Sequence, residues 1–84
     1  MRLIGTSRIS NASEPAKSWL SIWYAEVKHA KWKSNSDIKN QFPTVTHTNE
    51  TKFTFDISDS NLLLDTEIYL DKGIALVSGI RKKK

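Results

Sequence analysis

The sequence predicts an α+β domain: two N-terminal helices packed on a small antiparallel sheet of three or four strands. Three observations predict it. Apolar residues recur at helical spacing from Ala16 to Ala30, polar and apolar residues alternate from Lys52 to Ile57, and two further β-rich runs are joined by Asp71-Lys72-Gly73. Helices first and strands afterwards suit an α+β layout rather than repeated parallel units.

The elements follow in chain order. Met1 to Ile4 is apolar enough to add a short edge strand. Ser10 to Ser13 supplies helix-starting residue types, and Ser13-Glu14-Pro15 places a hydroxyl, a carboxylate and a proline where a first turn favours them. Ala16, Trp19, Leu20, Trp23, Val27 and Ala30 then form one stripe of an amphipathic helix over 14–31. Ser34-Asn35-Ser36-Asp37 is a break and a new cap, and Ile38 to Phe42 a short second helix stopped by Pro43.

Thr44 to Thr51 is polar and β-branched, a loop or a weak edge strand. In Lys52-Phe53-Thr54-Phe55-Asp56-Ile57 the alternation predicts a strand with Phe53, Phe55 and Ile57 toward the core. Ser58-Asp59-Ser60-Asn61 is turn chemistry. Leu62 to Leu70 and Ile74 to Ile80 are the next strands, with Gly73 at the positive-φ position of the hairpin.

The chain has 84 residues, enough for one domain, set at residues 1–80 with a basic tail at 81–84. A domain of this size buries roughly 60–65% of its unfolded surface, so its stability margin is small. With 0 Cys there is no disulfide framework and no thiolate metal site. No apolar run approaches the roughly 20 residues of a membrane span. Met1-Arg2-Leu3-Ile4-Gly5 lacks the apolar core of a signal peptide, so a cytoplasmic protein without a membrane partner is expected. The formal charge is +4, and Arg81-Lys82-Lys83-Lys84 alone supplies four positive charges. The rest of the chain is therefore near neutral, which weakens any case for a broad nucleic-acid face. A solvated, frayed tail is the simpler expectation; contact with phosphate or an acidic partner is the other.

Motifs for cofactors and metals are missing, and none is expected. The 3 Gly form no phosphate loop, and His29 and His47 lack metal-ligand spacing. His47, in the polar loop, is a candidate general acid or base for a nuclease, or simply a loop histidine. Lys28, Lys31 and Lys33 flank Trp32 at the end of the first helix. Either they grip RNA by phosphate contact and stacking, or they are a solvated helix end with Trp32 in the core. Asp65 and Glu67 are two apart, hence on one strand face; a solvated face is the first expectation there.

The run Trp23-Tyr24-Ala25-Glu26-Val27-Lys28-His29-Ala30-Lys31-Trp32-Lys33-Ser34, followed by Asp37-Ile38-Lys39, Phe42-Pro43 and Lys52 to Ile57, resembles the HigB-type toxins of bacterial toxin–antitoxin modules. The likeness continues through Ile68 and Gly73 and is weaker before Trp19. It implies a RelE-like fold, metal-independent cleavage of messenger RNA on the ribosome, and a HigA-like helix-turn-helix antitoxin as partner. The RNA 2′-hydroxyl would attack the adjacent phosphate, with cationic side chains stabilising the developing charge.

The departures fall on the central strands. Where the family carries arginines, this chain has Leu63, Glu67 and Ser78. Its terminal Arg-Phe, Gly-Thr-His, Glu-Tyr stretch is replaced by Gly79 to Lys84, a shorter ending, with Lys83 near the histidine position. Lys33, Lys39 and Lys52 stand where the family is also basic. The resulting expectation is a HigB-like toxin of the ribosome-dependent endonuclease class with activity weakened or lost. Arg81 and His47 are its candidate catalytic residues, and Lys28, Lys31, Lys33, Lys52, Lys82 and Lys83 its candidate RNA-binding residues. The alternative is a catalytically degenerate toxin fold of phage or plasmid origin that binds or inhibits a target protein, with Asp65, Glu67 and Asp71 as its partner-binding residues. A truncated remnant is the third reading.

Overall fold

The computed structural model describes residues 1–9, 12, 14–57 and 60–83. The expected Ser13 cap, the Ser58-Asp59 part of the turn and the final Lys84 lie outside the described residues, as do Ser10 and Asn11.

Helix α1 spans Ala16–Lys28. Its first turn is closed by Glu14: the Ser18 backbone N–H donates to Oε1 and the Ser18 hydroxyl to Oε2, both at 2.7 Å. A helix's first N–H groups lack partners within the helix, and Glu14 supplies one. Those two hydrogen bonds, the hydroxyl's first, hold the Glu14 carboxyl below its ordinary pKa of 4.5. The helix stops three residues short of the expected end. There the Ala30 N–H turns back to the Val27 carbonyl at 3.1 Å, and the Met1 ammonium donates to the carbonyls of Lys28 and Ala30. Helix α2 covers Asn35–Gln41 and begins earlier than the expected Ile38. Asp37 explains this, since its Oδ2 accepts the Lys33 N–H at 2.8 Å across the first turn. Phe42, before Pro43, is already out of the helical region.

The sheet corrects the expected three or four antiparallel strands. Among the described residues five strands run in the order β1-β5-β4-β3-β2. They are β1 (Arg2–Ile4), β2 (Thr46–His47), β3 (Lys52–Ile57), β4 (Leu62–Tyr69) and β5 (Ile74–Lys82). Both weak edge candidates are strands, and β1 joins β5 in parallel while all other pairs are antiparallel. Parallel pairing needs a crossover rather than a hairpin, and here α1 and α2 lie within it. At the start of that crossover Gly5 has φ +85°, and a Cβ there would lie 2.7 Å from the Val77 carbonyl oxygen.

Strand β5 also runs past the expected Ile80. Arg81 and Lys82 pair with Leu63 and Leu62, and the Lys83 N–H donates to Asn61 at 2.9 Å. The first residues of the basic run are thus ladder residues.

The core lies between the helices and one face of the sheet. Ala16, Leu20, Trp23 and Val27 of α1 and Ile38 of α2 meet Phe53, Phe55, Ile57, Leu64, Ile68, Ala75 and Val77. Trp23 and Phe42 both meet Phe55 edge-on, at centroid distances of 5.5 and 5.1 Å. No helix among the described residues is long and apolar enough to cross a membrane.

Candidate functional site

The helices cover one sheet face and leave the other open. Period-two alternation sends Lys52, Thr54 and Asp56 of β3, and Leu63, Asp65, Glu67 and Tyr69 of β4, to the open side. Strand β5 starts in the same phase, with Ala75 and Val77 buried. Simple alternation would next point Arg81 at the helices.

A bulge prevents that. Thr66 pairs with Val77 and Asp65 with Gly79, so Ser78 is an extra residue. One inserted residue reverses the side-chain parity of everything after it. Ile80 therefore packs on the core opposite Leu64, and Arg81 emerges on the open face opposite Leu63.

The result is a cleft of about 350 Å³ whose lining includes Lys52, Thr54, Asp65, Glu67, Ser78 and Arg81. Clefts that hold small ligands run from roughly 300 to 1,000 Å³, so this one suits a nucleotide-sized group rather than a duplex. Its polar groups are connected. Arg81 Nε donates to Asp65 Oδ2 at 2.7 Å, and Thr54 Oγ1 donates to Asp65 Oδ1 at 2.9 Å. Lys52 stands directly across the ladder from Glu67, whose Oε1 accepts the Tyr69 hydroxyl at 3.2 Å. Partial burial, and then the Glu67 carboxylate, push the Tyr69 phenol above its ordinary pKa of 10.0. On the same face Lys83 Nζ meets Asp56 Oδ1 at 2.7 Å. Among the described residues no group of three or more His, Cys, Asp or Glu is arranged to hold a metal ion.

A family model described as the HigB toxin, the RelE-like toxic component of a toxin–antitoxin system, matches residues 16–81. The chain belongs to the HigB toxin family. The match runs from the first residue of α1 to Arg81, so it takes in the whole cleft, and it bears out the likeness seen at Trp23 to Ile57. As the toxic component of such a system, a HigB-family chain has an antitoxin as its counterpart. No curated protein matches the chain.

The candidate residues separate into groups on this HigB-family fold. Lys52, Arg81, Asp65 and Glu67 come together in the cleft, with Lys83 beside it. His47 does not join them. It stacks flat on Phe53, with ring centroids 4.4 Å apart and 3° between planes, on the helix side of the sheet. Lys28 ends α1, and Lys31 and Lys33 lie exposed in the connection to α2. Trp32 between them is buried and donates its indole N–H to Gln41 at 2.8 Å, so it offers no stacking face to RNA. Lys82 is an exposed residue of β5, and Asp71 sits in the β4–β5 turn away from Asp65. Thr48, Thr54 and Thr66 of the cleft were not singled out from the sequence, and Ser78 only as a position where the family carries an arginine. The Thr54–Asp65 register would have exposed Thr54; nothing local marks Ser78 as a bulge.

Proposed function

We propose that this HigB-family chain is a ribosome-dependent messenger-RNA endonuclease of reduced activity, acting in the cytoplasm and neutralised by a HigA-like antitoxin. The observation that carries the reading is the meeting of Lys52 and Arg81 in one open cleft with the hydroxyls of Thr54 and Ser78. In the reaction the 2′-oxygen of RNA bonds to the adjacent phosphorus and the bond from phosphorus to the 5′-oxygen breaks. The 2′-hydroxyl gives up a proton and the 5′-oxygen gains one. Lys52 and Arg81 offset the extra negative charge on the phosphate oxygens. No imidazole lines the cleft, so neither proton transfer has a histidine to serve it, and this supports the reading of reduced activity.

Glu67 and Asp65 support a second reading. Their charges offset those of Lys52 and Arg81 within the cleft. A toxin fold that binds or inhibits a target protein by surface contact, of phage or plasmid origin, fits that balance.

One experiment separates the two. Purified protein is added to translating ribosomes, and messenger integrity is followed by primer extension, with Arg81→Ala in parallel. Cleavage by the native protein that R81A loses supports the nuclease. Intact messenger, with no slowing of growth on expression, leaves the binding protein.

A further inference from the structure

We propose that Asp65 is a positioning residue that aims the Arg81 guanidinium into the cleft. The proposal rests on reading that cleft as a site for RNA phosphate.

Asp65 is held from both sides. Its Oδ1 accepts the Thr54 hydroxyl from β3, and its Oδ2 accepts Arg81 Nε from β5. The chain Thr54–Asp65–Arg81 therefore crosses three adjacent strands, and both carboxylate oxygens have a fixed direction. Thr54 and Asp65 are also directly paired in the ladder. Stability does not account for this arrangement. The Arg81 and Asp65 side chains are 58% and 32% exposed, and an ion pair in that setting contributes little to folding.

Geometry accounts for it better. An exposed arginine samples many rotamers, and each contact it makes must first order it. Among the described residues Arg81 makes one side-chain hydrogen bond, through Nε. That bond fixes the plane of the guanidinium while leaving the Nη1 and Nη2 donors unengaged by it. A fork held from behind is the arrangement suited to an incoming phosphate. The bulge at Ser78 serves the same end, because without it Arg81 would face the helices.

Asp65 has an opposing effect, since its charge also repels phosphate. The two effects predict opposite signs on removing the carboxylate, and that makes the proposal testable. The binding probe is ribosomes carrying a messenger with 2′-O-methylated nucleotides, which cannot be cleaved. Asp65→Ala should weaken binding about fivefold, close to the effect of Arg81→Ala, and the double variant should bind no more weakly than R81A alone. Thr54→Val, which leaves the carboxylate in place, should weaken binding about twofold. With arginine-selective ¹⁵N labelling, the Nε–H signal of Arg81 should be protected from exchange in the native chain and lose that protection in D65A. A loss of fold would not produce this while sparing the Nη1–H signal of Arg8, whose Nη1 donates to the Val77 carbonyl.

Binding by D65A as tight as or tighter than the native chain overturns the proposal and makes Asp65 a shield. Independent, additive losses in D65A and R81A overturn it as well. If D65A does not fold, T54V decides, and unchanged binding there overturns the proposal. If the native chain and R81A both fail to bind, the reading of the cleft itself falls and takes the proposal with it. If the native chain binds and only R81A is weaker, the positioning role alone falls.

Discussion

Lys83 Nζ lies 2.7 Å from Asp56 Oδ1, and this contact ties the basic end of the chain to the exposed face of β3. Lys83 also donates its backbone N–H to Asn61, directly after the ladder pairs of Arg81 and Lys82. Two kinds of attachment are present, and they differ in strength. The ion pair is more than one-third exposed on both sides, so solvent screens it. The ladder is part of the sheet.

Lys83→Ala should therefore change unfolding free energy by less than about 1 kcal/mol. Removal of residues 81–84 should cost more, about 2 kcal/mol, because it strips the pairs opposite Leu62 and Leu63 and uncovers both leucines. Urea unfolding of the two variants checks the ranking. A larger loss for K83A than for the deletion would show that charge, not pairing, holds this segment.

Gly5 and Gly73 make a second contrast. Both have positive φ, at +85° and +65°. A Cβ at Gly5 would lie 2.7 Å from the Val77 carbonyl oxygen, whereas nothing lies within 4 Å of one at Gly73. Gly73→Ala should cost about 1 kcal/mol, the conformational part alone. Gly5→Ala carries the same part plus a clash with backbone that cannot move without shifting β5, about 3 kcal/mol in all. Thermal unfolding of the two variants should place G5A well below G73A.

The contrast between alternation and register shows what the sequence carries and what it does not. Phe53, Phe55 and Ile57 can be assigned to the core from spacing alone, because strand alternation is a local property. So can the α1 stripe. The parallel pairing of Arg2 with Ile74 is not local, since the partners lie at opposite ends of the chain. The bulge at Ser78 is not local either. It is defined only against β4, yet it decides which way Arg81 points. His47 and Arg81 are both polar, chemically suitable residues, and only the sheet's two faces separate them. The charged residues of the cleft could therefore be named one by one from the sequence, while Thr54, the bulge at Ser78 and the assembly of the cleft depended on long-range pairing.

Glu14 gives the fold an acid-sensitive point. Its carboxylate accepts two hydrogen bonds from Ser18, so its pKa is lowered in the folded state. A lowered folded pKa means that the contribution to stability is fully present above the unfolded value of 4.5. It is lost as pH falls through the folded value. Unfolding followed from neutral to acid pH should show a loss of stability in this window that is smaller in Glu14→Gln. Equal slopes for the two proteins would remove Glu14 as the source.

On the proposed reading of the cleft as an RNA site, the Glu67 carboxylate opposes the phosphate. It faces Lys52 across the ladder and takes the Tyr69 hydroxyl, so its carboxylate is held at the cleft wall. A negative charge near a bound phosphate costs about 1 kcal/mol even where water screens it. Glu67→Gln keeps an acceptor for Tyr69 and removes the charge. It should raise messenger cleavage on ribosomes about fivefold, the factor that 1 kcal/mol represents. Glu67→Arg should raise it further, since it puts a cation where the native chain has an anion. The rates come from single-turnover cleavage, with Lys52→Ala as the opposing control. If E67Q leaves cleavage unchanged while K52A abolishes it, Glu67 lies outside the path of the phosphate. If both variants leave it unchanged, the RNA does not use this side of the cleft, and the contacts to RNA must come from the Arg81 side alone.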